Sequence, residues 1–296
     1  MSVVTDNILW VSGSKGTTGR STDGGQTWEW NQVKGFEKRE FRDIEAFDSL
    51  TAVVLAIAEP GAILKTTDGG KNWIEVYSDS TKGIFLDAFH FTRNGEGTVI
   101  GDPINGKAYL AATKDFGNTW SKLQNAPAAD SGEACFASSG TNIISVGNGS
   151  YYFVTGGLVS RLHSPGFAPL LLPLSQGKES TGANSIAVLG NKAVIVGGDF
   201  ARDTAATANC VLVKLGKTPV ITSPLSAPHG YRSCVTFIDT KRLITCGTSG
   251  VDVSSDGGRS WQLISKESFH VCQKAKNGKA IYLAGGNGRI ARYVGK

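Results

Sequence analysis

The sequence predicts an all-β protein, a seven-bladed β-propeller of four-stranded antiparallel blades forming one domain over residues 1–296. Three observations predict it: a short motif that returns four times, a near-constant interval between copies, and four β-rich runs in each repeat. The motif reads Ser or Thr, one residue, Asp, one residue, Gly, two residues, Trp. Its copies are RSTDGGQTWEW (20–30), KTTDGGKNWIEV (65–76), ATKDFGNTWSKL (112–123) and VSSDGGRSWQLI (253–264). Their tryptophans, Trp28, Trp73, Trp120 and Trp261, stand 45, 47 and 141 residues apart, and 141 is three times 47. Two further sites therefore fall near 167 and 214. LHSPGFAPLL keeps Gly166 and Phe167 at the first, and VKLGKTPVI keeps only a glycine turn at the second.

The strands follow from the runs between motifs. In the second repeat FRDIEAF, TAVVLAIAEPG, AILKTTDGG and WIEVYS are β-branched or aromatic runs separated by turn residues, and the sixth copies them with YRSCVTFID, RLITCGTSG, VDVSSDGG and WQLISK. We name these strands A to D from the axis outward. After Trp261 the runs FHVCQKAK, AIYLAGGNG and RIARYVGK supply A, B and C of a seventh repeat, and SVVT at 2–5 is a shortened strand A of the first. The seventh blade is expected either to have three strands or to take its edge from the N-terminus. A leader removed upstream of Met1, the only methionine, would explain the short start.

Bulk composition agrees and excludes several classes. With 40% hydrophobic residues, 19% charged residues and 38 glycines, the chain is folded and rich in turns. Its net charge of +5 comes from 30 basic and 25 acidic residues scattered without a Lys/Arg run, which speaks against nucleic-acid binding. No apolar run reaches the roughly 18 to 20 residues needed to cross a bilayer. The five cysteines (135, 210, 234, 246, 272) form no CxxC pair, so no thiolate metal site is expected. Cys234 and Cys246 flank the turn DTK symmetrically, either as small buried hydrophobes or as a bonded pair across a hairpin. GGNGRIARY is glycine-rich but falls at a B-to-C turn, so no nucleotide cofactor is expected.

The motif has a structural explanation. Asp accepts bonds from nearby backbone N–H groups, Ser or Thr ties the turn, Gly supplies positive φ, and Trp packs between blades. Ser21, Asp23, Gly25 and Trp28 play these parts in the first copy; Thr66, Asp68, Gly70 and Trp73 in the second; Thr113, Asp115, Gly117 and Trp120 in the third; Ser254, Asp256, Gly258 and Trp261 in the last. These aspartates are thus assigned to structure rather than catalysis. The motif resembles the Asp-box, or BNR repeat.

With C-to-D corners on the lower face, a site belongs on the upper face, where strands A begin and B-to-C turns lie. Strand A starts place Arg42 with Asp43, Asp87, Glu133, Asn184, Tyr231 with Arg232, and His270 there; the B-to-C turns add Lys15, Glu59, Asp102 and Asp199. The insertion GGDFARDTAATANC projects from the same side as a partial cover. One reading is a pocket for a polar ligand. In it Arg42 and Arg232 are forked anion binders, Tyr231, His270, Glu59 and Lys15 further contacts, and Asp43, Asp87, Asp102, Glu133 and Asp199 acid/base candidates. The other is a channel lining that pairs its own charges.

Two Asp-box families carry different implications. The sialidase superfamily implies a glycosidase with an arginine triad, a Tyr/Glu nucleophile pair and an aspartic acid. This chain lacks the Arg-Ile-Pro element, has seven repeats where those enzymes have six blades, and offers Arg42, Arg161 and Arg232 as candidates for the three arginines. VSGSKGTTGRSTDGGQTW and FRDIEAFD…ILKTTDGGKNW fit better the seven-bladed photosystem II stability and assembly factor family with its bacterial relatives. That resemblance implies a periplasmic or secreted, non-enzymatic scaffold, expected to be a monomer that binds a protein partner or a polar or glycan ligand, without metal or cofactor. The alternative is a glycoside hydrolase of the sialidase type.

Overall fold

The computed structural model describes residues 1–295. Seven antiparallel sheets follow one another along the chain. Blade 1 contains β1 (Ser2–Val3), β2 (Leu9–Ser12), β3 (Thr17–Ser21) and β4 (Glu29–Gln32), hydrogen-bonded in that order. Blade 2 contains β5 (Phe41–Ala46), β6 (Ala52–Ala56), β7 (Gly61–Thr66) and β8 (Ile74–Asp79), and blade 3 β9 (Leu86–Phe91), β10 (Gly97–Ile104), β11 (Lys107–Thr113) and β12 (Ser121–Lys122).

Blade 4 departs from the repeat. Its inner strand is split into β13 (Glu133–Ala134) and β14 (Ile143–Gly147), which pair with β16 (Gly156–Gly157) and β15 (Ser150–Val154), respectively. Residues 135–142 between the halves leave the sheet and cross the channel. β17 (Arg161–Ser164) and β18 (Phe167–Leu171) complete a four-stranded sheet with β14 and β15, while the β13–β16 pair is joined through Gly156 and Gly182 to the sheet of the next blade. Phe167 opens β18, at the corner the sequence spacing predicts, and its ring stacks on Tyr152 with centroids 6.2 Å apart.

Blade 5 contains β19 (Thr181–Leu189), β20 (Lys192–Asp199), β21 (Cys210–Lys214) and β22 (Val220–Thr222). Blade 6 contains β23 (Cys234–Phe237), β24 (Leu243–Gly247), β25 (Gly250–Ser254) and β26 (Gln262–Ser265). Among the described residues blade 7 has three strands, β27 (Val271–Lys274), β28 (Ile281–Ala284) and β29 (Ile290–Arg292). Of the two sequence expectations for this blade, the three-stranded one holds, since β1 pairs with β2 as the inner strand of blade 1. The ring closes where Lys276 and Asn277 N–H donate to the carbonyls of Val3 and Val4, at 3.0 and 2.9 Å. Asp6 adds a clasp by accepting from the N–H groups of Lys279 and Ala280, each at 2.7 Å.

Apolar clusters lie between adjacent blades, which is what holds a ring of flat sheets together. Val54, Leu64 and Trp73 of blade 2 pack on Trp10 of blade 1, and Val194 and Val196 of blade 5 pack on Trp261 of blade 6. Each motif tryptophan leans toward the preceding blade: the Trp73 ring meets Trp10 edge-on at 6.4 Å. Cys234 and Cys246 face each other in register and are buried and unbonded, as are the other three cysteines.

Candidate functional site at the upper mouth

The motif corners are complete hydrogen-bonded units. In the first, Ser21 Oγ donates to Asp23 Oδ1 at 2.9 Å and accepts from Gly25 N–H at 2.9 Å, while Thr27 N–H donates to Asp23 Oδ1 at 2.9 Å. The Thr27 hydroxyl and N–H together hold the Asp23 carboxyl down to about 2. Thr66, Thr113 and Ser254 repeat the geometry at Gly70, Gly117 and Gly258. Gly25 and Gly70, both at φ 86°, occupy the left-handed region the turn requires. None of these corners borders the upper cavity of about 1060 Å³.

The axial channel holds two cavities, an upper one of about 1060 Å³ and a lower one of about 750 Å³. The 135–142 segment runs between them, with Phe136, Ser138 and Ser139 on the upper cavity and Gly140 and Thr141 on the lower. Gly140 passes so close to Asp43 that a Cβ there would meet Oδ1 at 2.3 Å, so the crossing needs glycine at this point.

The structure separates the sequence-selected residues into three groups. Arg42, Asp87, Asp102, Tyr231 and His270 border the upper cavity. Arg42 stands half exposed on the rim, 3.6 Å from Glu40, and burial together with the nearby Arg42 charge lowers the His270 imidazole. Tyr231 Oη donates to Asn184 Oδ1 at 2.7 Å. Asp87 and Asp102 form the floor beside Cys135. Burial, reinforced by Asp102, pushes Asp87 well above the carboxylate range, and burial also raises Asp102, whose Oδ1 accepts from Cys135 N–H at 2.8 Å.

A second group is consumed within the blades. Arg232 is fully buried: its Nε donates to Asp252 Oδ2 at 2.7 Å and its remaining donors go to Asp252, Ser249 and the carbonyls of His229 and Tyr231. It offers no open fork, so it acts as a tie within blade 6. Glu133 is likewise buried against His163 at 2.8 Å, Arg161 at 3.1 Å and Thr155. Asp199 accepts from Ser180 at 2.8 Å, Ala201 N–H at 3.0 Å and Arg202 at 3.0 Å, which fixes the start of the insertion. Arg42, Arg161 and Arg232 therefore do not converge on one point: only Arg42 reaches the cavity.

The third group lies off the mouth. Asp43 borders the lower cavity; burial pushes it up to about 8 although Ile44 and Phe89 N–H donate to it at 2.8 and 2.9 Å. Glu59 accepts from Gly83 N–H at 2.6 Å, and Lys15 is an exposed turn residue at φ 58°. Neither borders the cavity.

Sequence reasoning passed over several residues that line the upper cavity. Trp30 and Phe200 are about half exposed and border the upper cavity, and Cys135 lies on its floor. Phe200 sits in the insertion, edge-on to Phe136 at 5.9 Å and Tyr231 at 6.2 Å, so the insertion does reach over the mouth. Trp30, two residues after a motif tryptophan in RSTDGGQTWEW, was the available signal for one of them.

Fold and corner geometry together define an Asp-box propeller of seven blades with its main cavity on the face opposite the boxes. Residues 1–82 match the family model of the photosynthesis system II assembly factor YCF48, and the chain resembles that family. Among solved structures it is similar to YCF48 bound to D1 peptide, with a TM-score of 0.66 and 18% identity, covering 100% of this chain and 90% of that one. YCF48 from Cyanidioschyzon merolae follows with a TM-score of 0.60 and 16% identity, covering 99% and 94%. Sqt1 of Saccharomyces cerevisiae aligns with a TM-score of 0.61 and 11% identity, covering 98% and 82%. At these identities the likeness shows the fold. No curated protein matches by sequence.

Proposed function

We propose that this chain is a non-catalytic binding scaffold that takes an extended protein segment at its upper mouth. The observation that carries the reading is the makeup of that mouth: half-exposed Trp30 and Phe200 and the rim cation Arg42 surround a cavity of about 1060 Å³. Exposed aromatics flanked by a guanidinium suit a peptide backbone and its side chains, because rings and forked donors concentrate binding energy at low conformational cost. A structural relative bound to a peptide, YCF48 with a D1 peptide, supports the same mode. An extracytoplasmic monomer belongs to this reading, carried over from the Asp-box resemblance, and is tested by fractionation and light scattering.

The glycosidase alternative draws little from the geometry. Asp87 is wholly buried in the cavity floor, and no arginine triad assembles. Selection of a random-peptide phage library on the whole chain tests the proposal. It is expected to enrich a motif whose binding drops at least about tenfold in Trp30→Ala and in Phe200→Ala. Enrichment that ignores both substitutions, or hydrolysis of aryl glycosides abolished by Asp102→Asn, would contradict it.

A further inference from the structure

On the floor of the upper cavity one ligand atom from each of Asp87, Asp102 and Cys135 lies within 4.8 Å of the other two. Two adjacent blades supply them: Asp87 from β9 and Asp102 from β10 of blade 3, and Cys135 from the segment where the inner strand of blade 4 breaks. Asp102 Oδ1 accepts from Cys135 N–H, so the residue that carries the thiol is fixed beside the carboxylates. Two carboxylates and a sulfur converge with no cationic side chain paired to them among the described residues. Neither aspartate enters an ion pair among the described residues.

A second observation points to a ligand. Asp87 is 0% exposed, yet neither of its carboxylate oxygens has a hydrogen-bond partner among the described residues. Buried carboxylates elsewhere in the molecule are supplied: Glu133 by His163 and Arg161, Asp252 by Arg232, Asp199 by Ser180 and Arg202. A buried carboxyl without partners is destabilising, so a fold that satisfies the others and leaves this one open points to a ligand for it.

We propose that Asp87, Asp102 and Cys135 bind a divalent cation of borderline softness, of the zinc type. Two oxygens with one thiolate suit such an ion better than magnesium or calcium, which take oxygen alone. Three protein ligands leave a fourth position, and it faces the upper cavity, where water or a donor from an incoming segment completes the sphere. The sequence offered no CxxC pair and so gave no sign of a metal, because these ligands come from segments 15 and 33 residues apart. The cation site stands independently of what enters the mouth.

The test is cobalt(II) titration of the metal-stripped whole chain at neutral pH under reducing conditions. One cobalt per chain is expected, with a near-ultraviolet thiolate-to-cobalt charge-transfer band that zinc abolishes on displacement. Cys135→Ser is expected to lose the band, and Asp87→Asn to weaken cobalt binding by at least about 100-fold, each with the circular dichroism of the parent chain. Cys234, Cys246 and Cys272 are the internal control, being three buried thiols grouped in another part of the ring. A band that survives in Cys135→Ser would place the metal there and overturn the proposal. So would the absence of any band from folded parent protein. Should Asp87→Asn fail to fold, Asp102→Asn carries the same expectation.

Discussion

The aspartates of the lower corners and those of the upper mouth are one residue type in opposite circumstances. Asp23 and Asp68 sit at the surface with donors from their own turn, and those donors hold each carboxyl down to about 2. Asp87 lies wholly buried with neither oxygen bonded among the described residues, and burial drives it well above the carboxylate range. The first arrangement is closed within seven residues of chain, 21–27 and 66–72, and finishes its own chemistry. The second is open and assembled from distant segments. A satisfied carboxylate serves the fold, whereas an unsatisfied one in a cavity is available to a ligand.

The largest expected effect tests the structural side of this contrast. Trp261→Ala empties a filled site between blades 5 and 6 and is expected to cost about 3–5 kcal/mol in urea unfolding. Phe167→Ala, at the corner where the motif has decayed and the ring is only partly buried, is expected to cost about 1–2 kcal/mol. Equal losses at the two positions would break the idea that intact corners carry more of the ring's stability than decayed ones.

A smaller effect with a definite sign sharpens it. Asp43 has a folded value of about 8, above that of the unfolded chain, so folding takes up a proton between those limits. Its contribution is therefore fully present below the unfolded value and is lost as pH rises from about 4 to about 8. The corner carboxylates act oppositely: their stabilisation is present above the unfolded value and is lost as pH falls toward about 2. Asp43→Asn is thus expected to flatten the decline in unfolding free energy between about pH 5 and about pH 8. An unchanged slope would assign that decline to another group.

What the sequence revealed follows the same division. Blade number, corner chemistry and tryptophan packing were legible because each is written in a run of about ten residues and then repeated. The three-stranded seventh blade was one of two readings, since the short runs at either end allowed both. Arg232 and Glu133 were legible as upper-face residues, but not as engaged ones: their partners Asp252 and His163 lie 20 and 30 residues away. The break in the inner strand of blade 4 had no periodic signature, so neither the divided channel nor the approach of Cys135 to Asp87 was visible. Strand A of blade 4 was expected to run on from Glu133, and the structure instead sends residues 135–142 across the axis.

Hydrogen–deuterium exchange of the whole chain, with and without a peptide selected on it, tests most directly the division between a structural underside and a binding mouth. Added protection is expected around Arg42, across residues 135–142 and over the insertion that carries Phe200, with the four corners unchanged. Protection confined to residues 20–30, 65–76, 112–123 and 253–264 would contradict the account.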